Sequence, residues 1–230
     1  MIVPDPSPPL ELSFVALALL VAAAIVVLVH RAGGSAARVA AGLAGFLAGM
    51  WLLGWSGLLA DPVPPKPLLL LGPAVACSLW FCLRSRAGDA LAARAPLAAL
   101  VALQAFRLPL ELLMHGWARE GALPLQMTFA GQNFDIVTGV LALVVAPFAL
   151  RSRALVIAWN ILGLLLLANI VTVAILSMPG PLRVFTEDPP NVLVFRAPYT
   201  WLPGFFVQVA LAGHILVFRA LRRVTGSAAP

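Results

Sequence analysis

The sequence has very little charge. Only 10% of its 230 residues are Asp, Glu, Lys or Arg, whereas 62% are hydrophobic and the mean hydropathy is +1.00. A soluble domain carries about 25% charged residues, so this chain does not have enough charge to cover its surface in water. We therefore predict that its main solvent is the lipid bilayer.

Two other residue types are nearly missing. Cysteine occurs only at Cys77 and Cys82, whose side chains point in different directions if both lie on one helix, so no disulfide is predicted. The only lysine is Lys66, which the hydropathy pattern places in a loop. Because no span offers a lysine amine for the linkage, a retinal cofactor is excluded.

Long apolar runs are what the sequence has in abundance. A helix needs about 20 apolar residues to cross a bilayer, and the runs show no two-residue alternation of the kind that barrel strands have. We therefore predict an all-α polytopic membrane protein with seven transmembrane helices in a single domain over residues 1–230. The predicted spans are residues 10–30, 37–60, 67–84, 95–116, 128–150, 154–177 and 200–221.

The basic residues collect in alternate connections. One side has only Lys66, Arg119, Arg183 and Arg196. The other side has Arg31, Arg38, Arg84, Arg86, Arg94, Arg151, Arg153, Arg219, Arg222 and Arg223. Because Lys and Arg accumulate in cytoplasmic loops, the N-terminus is predicted outside and the C-terminus in the cytoplasm, in a multi-pass protein of the plasma (inner) membrane. The net charge of +6 is thus a topology signal, and a nucleic-acid partner is excluded.

One stripe of the fourth span is polar. At about 100° per residue, Gln104, Arg107, Glu111 and His115 fall within an arc of about 80°. A charge at the bilayer centre costs at least about 3 kcal/mol, so the stripe is predicted to face other helices or water. Glu111 follows Arg107 by one helical turn, so the two can pair directly. Pro109 predicts a kink beside the stripe.

The fifth span supplies a second polar cluster. If its helix begins near Met127, Asp135 lies about 12 Å deep at 1.5 Å per residue, a depth similar to that of Glu111. We therefore predict one extracytoplasmic-facing cavity between helices 4 to 7. His214 is expected to lie deeper and to make a helix–helix hydrogen bond. The predicted cluster consists of Arg107, Glu111, His115, Asp135, Gln104, Asn133 and Asn169.

The charges of this cluster do not balance. Two carboxylates face one guanidinium, and the excess negative charge calls for a protonated His115, a protonated acid or a bound cation. Two other interpretations stay open. Arg107 and its acid could be a structural pair that holds two helices in register, or Glu111, His115 and Asp135 could bind a divalent metal.

Residues 178–199 form the longest connection, which is predicted to be extracytoplasmic. Connections of this length are usually functional or disordered, and the apolar content of this one favours an ordered cap over the cavity. Its segment 191–195, "NVLVF", is predicted as a short strand or a membrane-surface segment. Arg183 and Arg196 are candidate contacts to a ligand, and Tyr199 is a further candidate or an interfacial anchor.

Three functions fit these features. The first is a protein that binds or translocates a small polar or ionic solute, with proton linkage, because ionisable groups at membrane depth are typical of such sites. The second is an intramembrane enzyme, metal-dependent or not, that acts on a lipid-linked substrate through Glu111, Asp135 or His115. The third is a structural accessory subunit that assembles with partner membrane subunits.

Overall fold

The computed structural model describes residues 3–60, 66–186 and 188–226. Over these residues the chain is helical and has no strand, which confirms the all-α class. The α-helices are α1 (Pro8–Arg31), α2 (Ala36–Trp55), α3 (Lys66–Arg84), α4 (Arg86–Arg94), α5 (Leu97–Leu103), α6 (Arg107–Arg119), α7 (Asp135–Val145), α8 (Arg153–Leu176) and α9 (Val207–Gly226). Lys66, predicted to lie in a loop, is the first residue of α3.

Five helical segments are long and apolar enough to cross a membrane, which indicates a membrane protein. Two shorter apolar helices accompany them, at Leu71–Arg84 and Asp135–Phe148. Large apolar side chains such as Leu20, Trp55 and Leu165 are exposed on the outside of the bundle, as lipid-facing positions require. The five long segments are Pro8–Arg31, Ala36–Trp55, Leu97–Arg119, Arg153–Leu176 and Leu202–Arg223.

The helix ends follow local side-chain chemistry. The hydroxyls of Ser35, Ser85 and Ser152 cap α2, α4 and α8 by accepting a hydrogen bond from a backbone N–H of the first turn. Gly33 and Gly121 follow the ends of α1 and α6 with φ of +84° and +73°, the left-handed conformation that commonly terminates a helix.

One end of the bundle gathers basic side chains. Arg94, at the end of α4, donates to the carbonyl of Ala32 after α1 at 3.4 Å. Arg219 of α9 pairs with Asp89 of α4, and Arg223 lies 3.5 Å from the same carboxylate. We call this end, formed by these five residues, the basic face.

The opposite end holds the beginning of the chain. The backbone N–H of Ser7 donates to Glu120 at 2.7 Å, and the Tyr199 hydroxyl donates to Glu11 at 3.0 Å. These contacts join the start of α1 to the end of α6 and to the loop before α9. We call this end, defined by these four residues, the N-terminal face.

The fourth predicted span has a more broken geometry than a single helix over 95–116. Pro96 separates the short helix α4 from α5, and the span continues through a 3₁₀ turn at Gln104–Phe106 into α6. Pro109 lies in the first turn of α6, where a missing N–H costs least. The departure from α geometry therefore lies just before the proline.

The helix of the fifth predicted span does not begin near Met127, as the depth count assumed, because α7 begins only at Asp135. Side chains compete for the backbone in the preceding segment. Thr128 accepts from the N–H of Ala130, and Asn133 accepts from the N–H of Asp135. Such local bonds stabilise turns at the expense of a helix. The chain thus enters the bundle as a non-helical segment, and α7 begins inside it.

Two apolar clusters fill the bundle, one towards each end. The first packs around Phe14, Trp117 and Phe206 near the N-terminal face, and the second around Leu100 and Val217 near the basic face. The inward-facing residues between the two clusters are polar or glycine: Gln104 of the 3₁₀ turn, Arg107 of α6, Asn160 and Gly163 of α8, and Gly213 and His214 of α9. The fold therefore contains a polar layer between two apolar cores.

Candidate functional site

A buried ion pair joins α6 to α7 within the polar layer. Nε of Arg107 donates to Oδ2 of Asp135 at 2.6 Å, and the two residues are 1% and 6% exposed. Nη1 and Nη2 of Arg107 also lie 3.5 Å from the carbonyl oxygen of Gly163 on α8. The direct pair of Arg107 with Glu111 that their spacing allows does not form, because α7 begins with the Asp135 carboxylate directly against the guanidinium.

A fully buried histidine extends the pair to α9. Nη1 of Arg107 lies 2.8 Å from Nε2 of His214, and Nδ1 of His214 lies 2.7 Å from Oδ1 of Asn160. A guanidinium only donates and an amide oxygen only accepts, so the ring is neutral with its proton on Nδ1. Nδ2 of Asn160 donates to the His214 carbonyl at 3.0 Å. The helix–helix hydrogen bond expected of His214 is confirmed.

Asn133 connects the ion pair to the second carboxylate. Its Nδ2 donates to Oε1 of Glu111 at 2.6 Å and to the carbonyl of Met127 at 3.1 Å. Its Oδ1 accepts from the backbone N–H of Asp135 at 3.0 Å. Asn133 has no exposed surface, so both carboxylates are positioned by one buried amide.

Two glycines allow the helices to approach closely at this point. A Cβ at Gly163 would lie 2.3 Å from Cε1 of His214, and a Cβ at Gly139 would lie 2.5 Å from the backbone nitrogen of Leu108. Small residues let helices pack closely in lipid. The absence of these two side chains therefore leaves room for the His214 ring and for α6 against α7.

A cavity of about 80 Å³ borders the ion pair on the side of the N-terminal face. Most of its wall is apolar and comes from α6, α8, α9 and the 3₁₀ turn at Leu193–Phe195. The remaining lining is polar and consists of Arg107, Glu111, Asp135 and Asn191.

Two hydrogen-bond acceptors at this cavity have no partner among the described residues. Oε2 of Glu111 is buried and makes no hydrogen bond, and neither does Oδ1 of Asn191. The other polar atoms of both side chains are occupied: Oε1 of Glu111 by Asn133, and Nδ2 of Asn191 by the carbonyl of Ala174 at 3.0 Å. Native proteins leave few buried polar groups unpaired, and these two acceptors in one lining make the cavity the candidate site.

The other residues predicted for the cluster make contacts elsewhere. The His115 ring packs against Phe129 with centroids 4.6 Å apart, and its buried Nδ1 has no hydrogen-bond partner among the described residues. Nε2 of Gln104 lies 3.5 Å from the carbonyl of Ala210. Asn169 donates to the carbonyl of Gln132 at 2.6 Å.

The predicted loop residues bind the protein itself. Arg183 donates to the carbonyl of Phe185 at 2.9 Å and lies 3.4 Å from Asp188. Arg196 contacts Asp5 at 2.9 Å. Burial raises the pKa of the Tyr199 phenol, and the carboxylate of Glu11 beside it raises the pKa further.

The metal interpretation finds little support in this geometry. Within residues 3–60, 66–186 and 188–226, no group of three or more His, Cys, Asp and Glu side chains is arranged to hold a metal ion. Glu111 and Asp135 meet through Asn133, whereas His115 points to Phe129.

Sequence reasoning left Asn160, His214 and Asn191 out of the cluster. Asn160 and His214 are lone polar residues near the middle of apolar helices, and they lie level with Arg107 in the bundle. A depth count along every span would have found that signal. Asn191 gave no signal, because a loop residue reaches the cavity only through tertiary folding.

A second cavity of about 690 Å³ lies between α2, α3 and α9. Its wall is almost wholly apolar, and its principal polar contact is internal, from the Ser78 hydroxyl to Oε1 of Gln208 at 2.9 Å. None of the buried polar side-chain atoms without a partner among the described residues belongs to this lining. It therefore lacks the unpaired acceptors of the first cavity.

The candidate site lies in the part of the chain that matches a protein family. Residues 65–222 match the family described as Domain of unknown function (DUF8737), and the chain belongs to that family. No curated protein and no solved structure matches the chain. The matched region contains Arg107, Asp135, Glu111, Asn191 and His214, whereas α1 and α2 precede it.

Proposed function

We propose that the chain is a seven-span protein of the plasma (inner) membrane with its N-terminus outside and its C-terminus in the cytoplasm. The two shorter apolar helices, Leu71–Arg84 and Asp135–Phe148, supply the spans beyond the five long ones. The contacts at the basic face bring Arg94, Arg219 and Arg223 to one end of the bundle. The tendency of basic residues to stay in the cytoplasm then orients the chain.

We propose further that the cavity next to Glu111 binds or translocates a small polar or ionic solute, with proton linkage. The observation that carries this proposal is the Glu111 carboxylate, which is 2% exposed, lines the cavity and has one oxygen without a partner. Ionisable groups buried at membrane depth typically lie on solute or proton pathways.

The charge balance supports the proton linkage. Arg107 is matched by Asp135, and the hydrogen-bond pattern of His214 describes a neutral ring. The Glu111 charge therefore has no direct counter-ion, and a buried charge without a partner is costly. A proton or a bound cation would remove that cost, so binding of one is coupled to release of the other.

Dicyclohexylcarbodiimide tests the proposal, since it is an apolar reagent that modifies protonated carboxyl groups in apolar surroundings. We expect one adduct on purified protein in detergent, found at Glu111 by peptide mass spectrometry and lost in Glu111→Gln. Labelling should persist in Gln126→Met, which removes a buried amide with an unpaired oxygen outside this cavity lining. Wild-type protein that stays unlabelled at Glu111 would overturn the proposal.

A structural role for the Arg107 network stands beside this function. All three guanidinium nitrogens have partners on α7, α8 or α9, as expected of a pair that holds helices in register. Such a structural role, which the accessory-subunit interpretation requires, accounts for Arg107 and Asp135. It does not explain the unpaired oxygen of Glu111.

A further inference from the structure

The unpaired atoms at the first cavity are all of one kind. Oε2 of Glu111 and Oδ1 of Asn191 are hydrogen-bond acceptors, while the donor side of Asn191 is taken by the carbonyl of Ala174. A ligand that satisfies both atoms must donate hydrogen bonds. The lining therefore selects for a donor group.

The same cavity disfavours an anion. Arg107 lines the cavity as well, but its charge is matched by Asp135, and its other guanidinium nitrogens contact His214 and the carbonyl of Gly163. The carboxylate of Glu111 contributes a negative charge that forms no ion pair with any described side chain. Charge and hydrogen bonding thus favour the same ligand group, a cation that carries N–H donors.

The rest of the cavity wall indicates the size and polarity of the remaining part of the ligand. It is apolar and includes Phe106, Phe195 and Phe206. A dry cavity of about 150 Å³ holds benzene, so the volume of about 80 Å³ corresponds to a short alkyl group. Two acceptor side chains and an apolar wall do not provide the six or more oxygen ligands that a hard metal cation prefers.

We infer that the cavity binds a primary organic ammonium ion, R–NH₃⁺, whose N–H groups donate to Glu111 and Asn191 and whose short apolar group lies among the phenylalanines. This inference rests on the proposed solute site and names its ligand class. A primary ammonium has three donors, enough for both acceptors. The same group occurs in free amines and in the ethanolamine headgroup of a phospholipid.

Thermal unfolding with matched probes tests the inference. Purified protein is titrated with n-propylammonium chloride, 1-propanol, tetramethylammonium chloride or sodium propanoate at constant ionic strength, and the shift of the unfolding midpoint gives the apparent affinity. We expect n-propylammonium to bind most tightly. Its affinity should fall roughly ten- to a hundred-fold in Glu111→Gln, since a hydrogen bond to a charged group is lost.

Further variants keep the test decisive if one of them unfolds. Asn191→Leu removes the second acceptor, Oδ1, and should also weaken the binding of n-propylammonium. Gln126→Met should bind like wild type. Equal binding of 1-propanol or tetramethylammonium, preferred binding of propanoate, or no shift with any probe would each overturn the inference. Carbodiimide labelling of Glu111 decides separately whether the proposed solute site survives.

Nanodiscs separate the two sources of the ammonium group. The titration is repeated in phosphatidylcholine discs with and without phosphatidylethanolamine. If the ligand is the lipid headgroup, phosphatidylethanolamine should raise the unfolding midpoint of the wild type and weaken its apparent affinity for n-propylammonium. Neither effect should appear in Glu111→Gln. A free amine predicts the same affinity in both discs. Both results support the ammonium site and assign its source.

Discussion

Replacing Asp135 by Asn keeps the size of the side chain and removes the counter-charge of Arg107. Arg107 is 1% exposed, so water cannot replace the lost partner. Removing one member of a buried ion pair costs about 3–5 kcal/mol. Arg107 would keep its contacts with His214 and the carbonyl of Gly163, which places the expected loss for Asp135→Asn near the lower limit, about 3 kcal/mol.

Equilibrium unfolding in mixed micelles measures this loss, followed by the fluorescence of the six tryptophans. Glu111→Gln is the matched control, because a glutamine oxygen can still accept from Asn133 while the cavity-facing oxygen loses no bond. We expect Glu111→Gln to change the free energy of unfolding by less than about 1 kcal/mol. A loss below about 1 kcal/mol for Asp135→Asn, or a larger loss for Glu111→Gln than for Asp135→Asn, would refute the reasoning.

Two further predictions concern packing and topology. Gly163→Ala should destabilise the protein by about 1–3 kcal/mol, because the added Cβ would collide with the His214 ring. Gly42→Ala on α2 is the control and should not destabilise, because its Cβ meets no atom within 4 Å. Equal unfolding midpoints for the two variants would contradict this prediction. Green fluorescent protein fused to the C-terminus should fluoresce and alkaline phosphatase fused there should be inactive, and the reverse pattern would place the C-terminus outside.

The helical class and most of the apolar segments could be predicted from composition alone. Runs such as Pro8–Arg31 and Arg153–Leu176 are apolar over the length that a bilayer requires, and no soluble fold suits them. The short helices were less predictable. Residues 128–134 were included in the fifth predicted span although they contain Gln132 and Asn133. In the fold, Thr128 and Asn133 bond to the backbone and delay the helix to Asp135.

That delay also explains why Asp135, and not Glu111, pairs with Arg107. Spacing along one helix favoured Arg107 with Glu111, one turn apart, and spacing is the only distance that a sequence states directly. In the fold, the non-helical entry of α7 presents the first carboxylate of that helix to the guanidinium at 2.6 Å. The membership of Arg107, Glu111 and Asp135 in one cluster followed from their cost in lipid, whereas their pairing depended on backbone geometry.

The polar layer resolves the question of why an apolar chain retains both acids. If the layer served only to hold helices together, one acid would suffice, since Asp135 alone matches the charge of Arg107. The second carboxylate adds a charge that the packing does not use and an oxygen that the packing does not satisfy. A purely structural network gains only the hydrogen bond from Asn133 to Glu111, and an apolar replacement of similar volume would remove the cost of burying the charge. Glu111 is therefore the residue at which structural and functional explanations diverge. The contrast between Asp135→Asn and Glu111→Gln separates them: the first should weaken the fold, whereas the second should leave the fold intact and weaken cation binding.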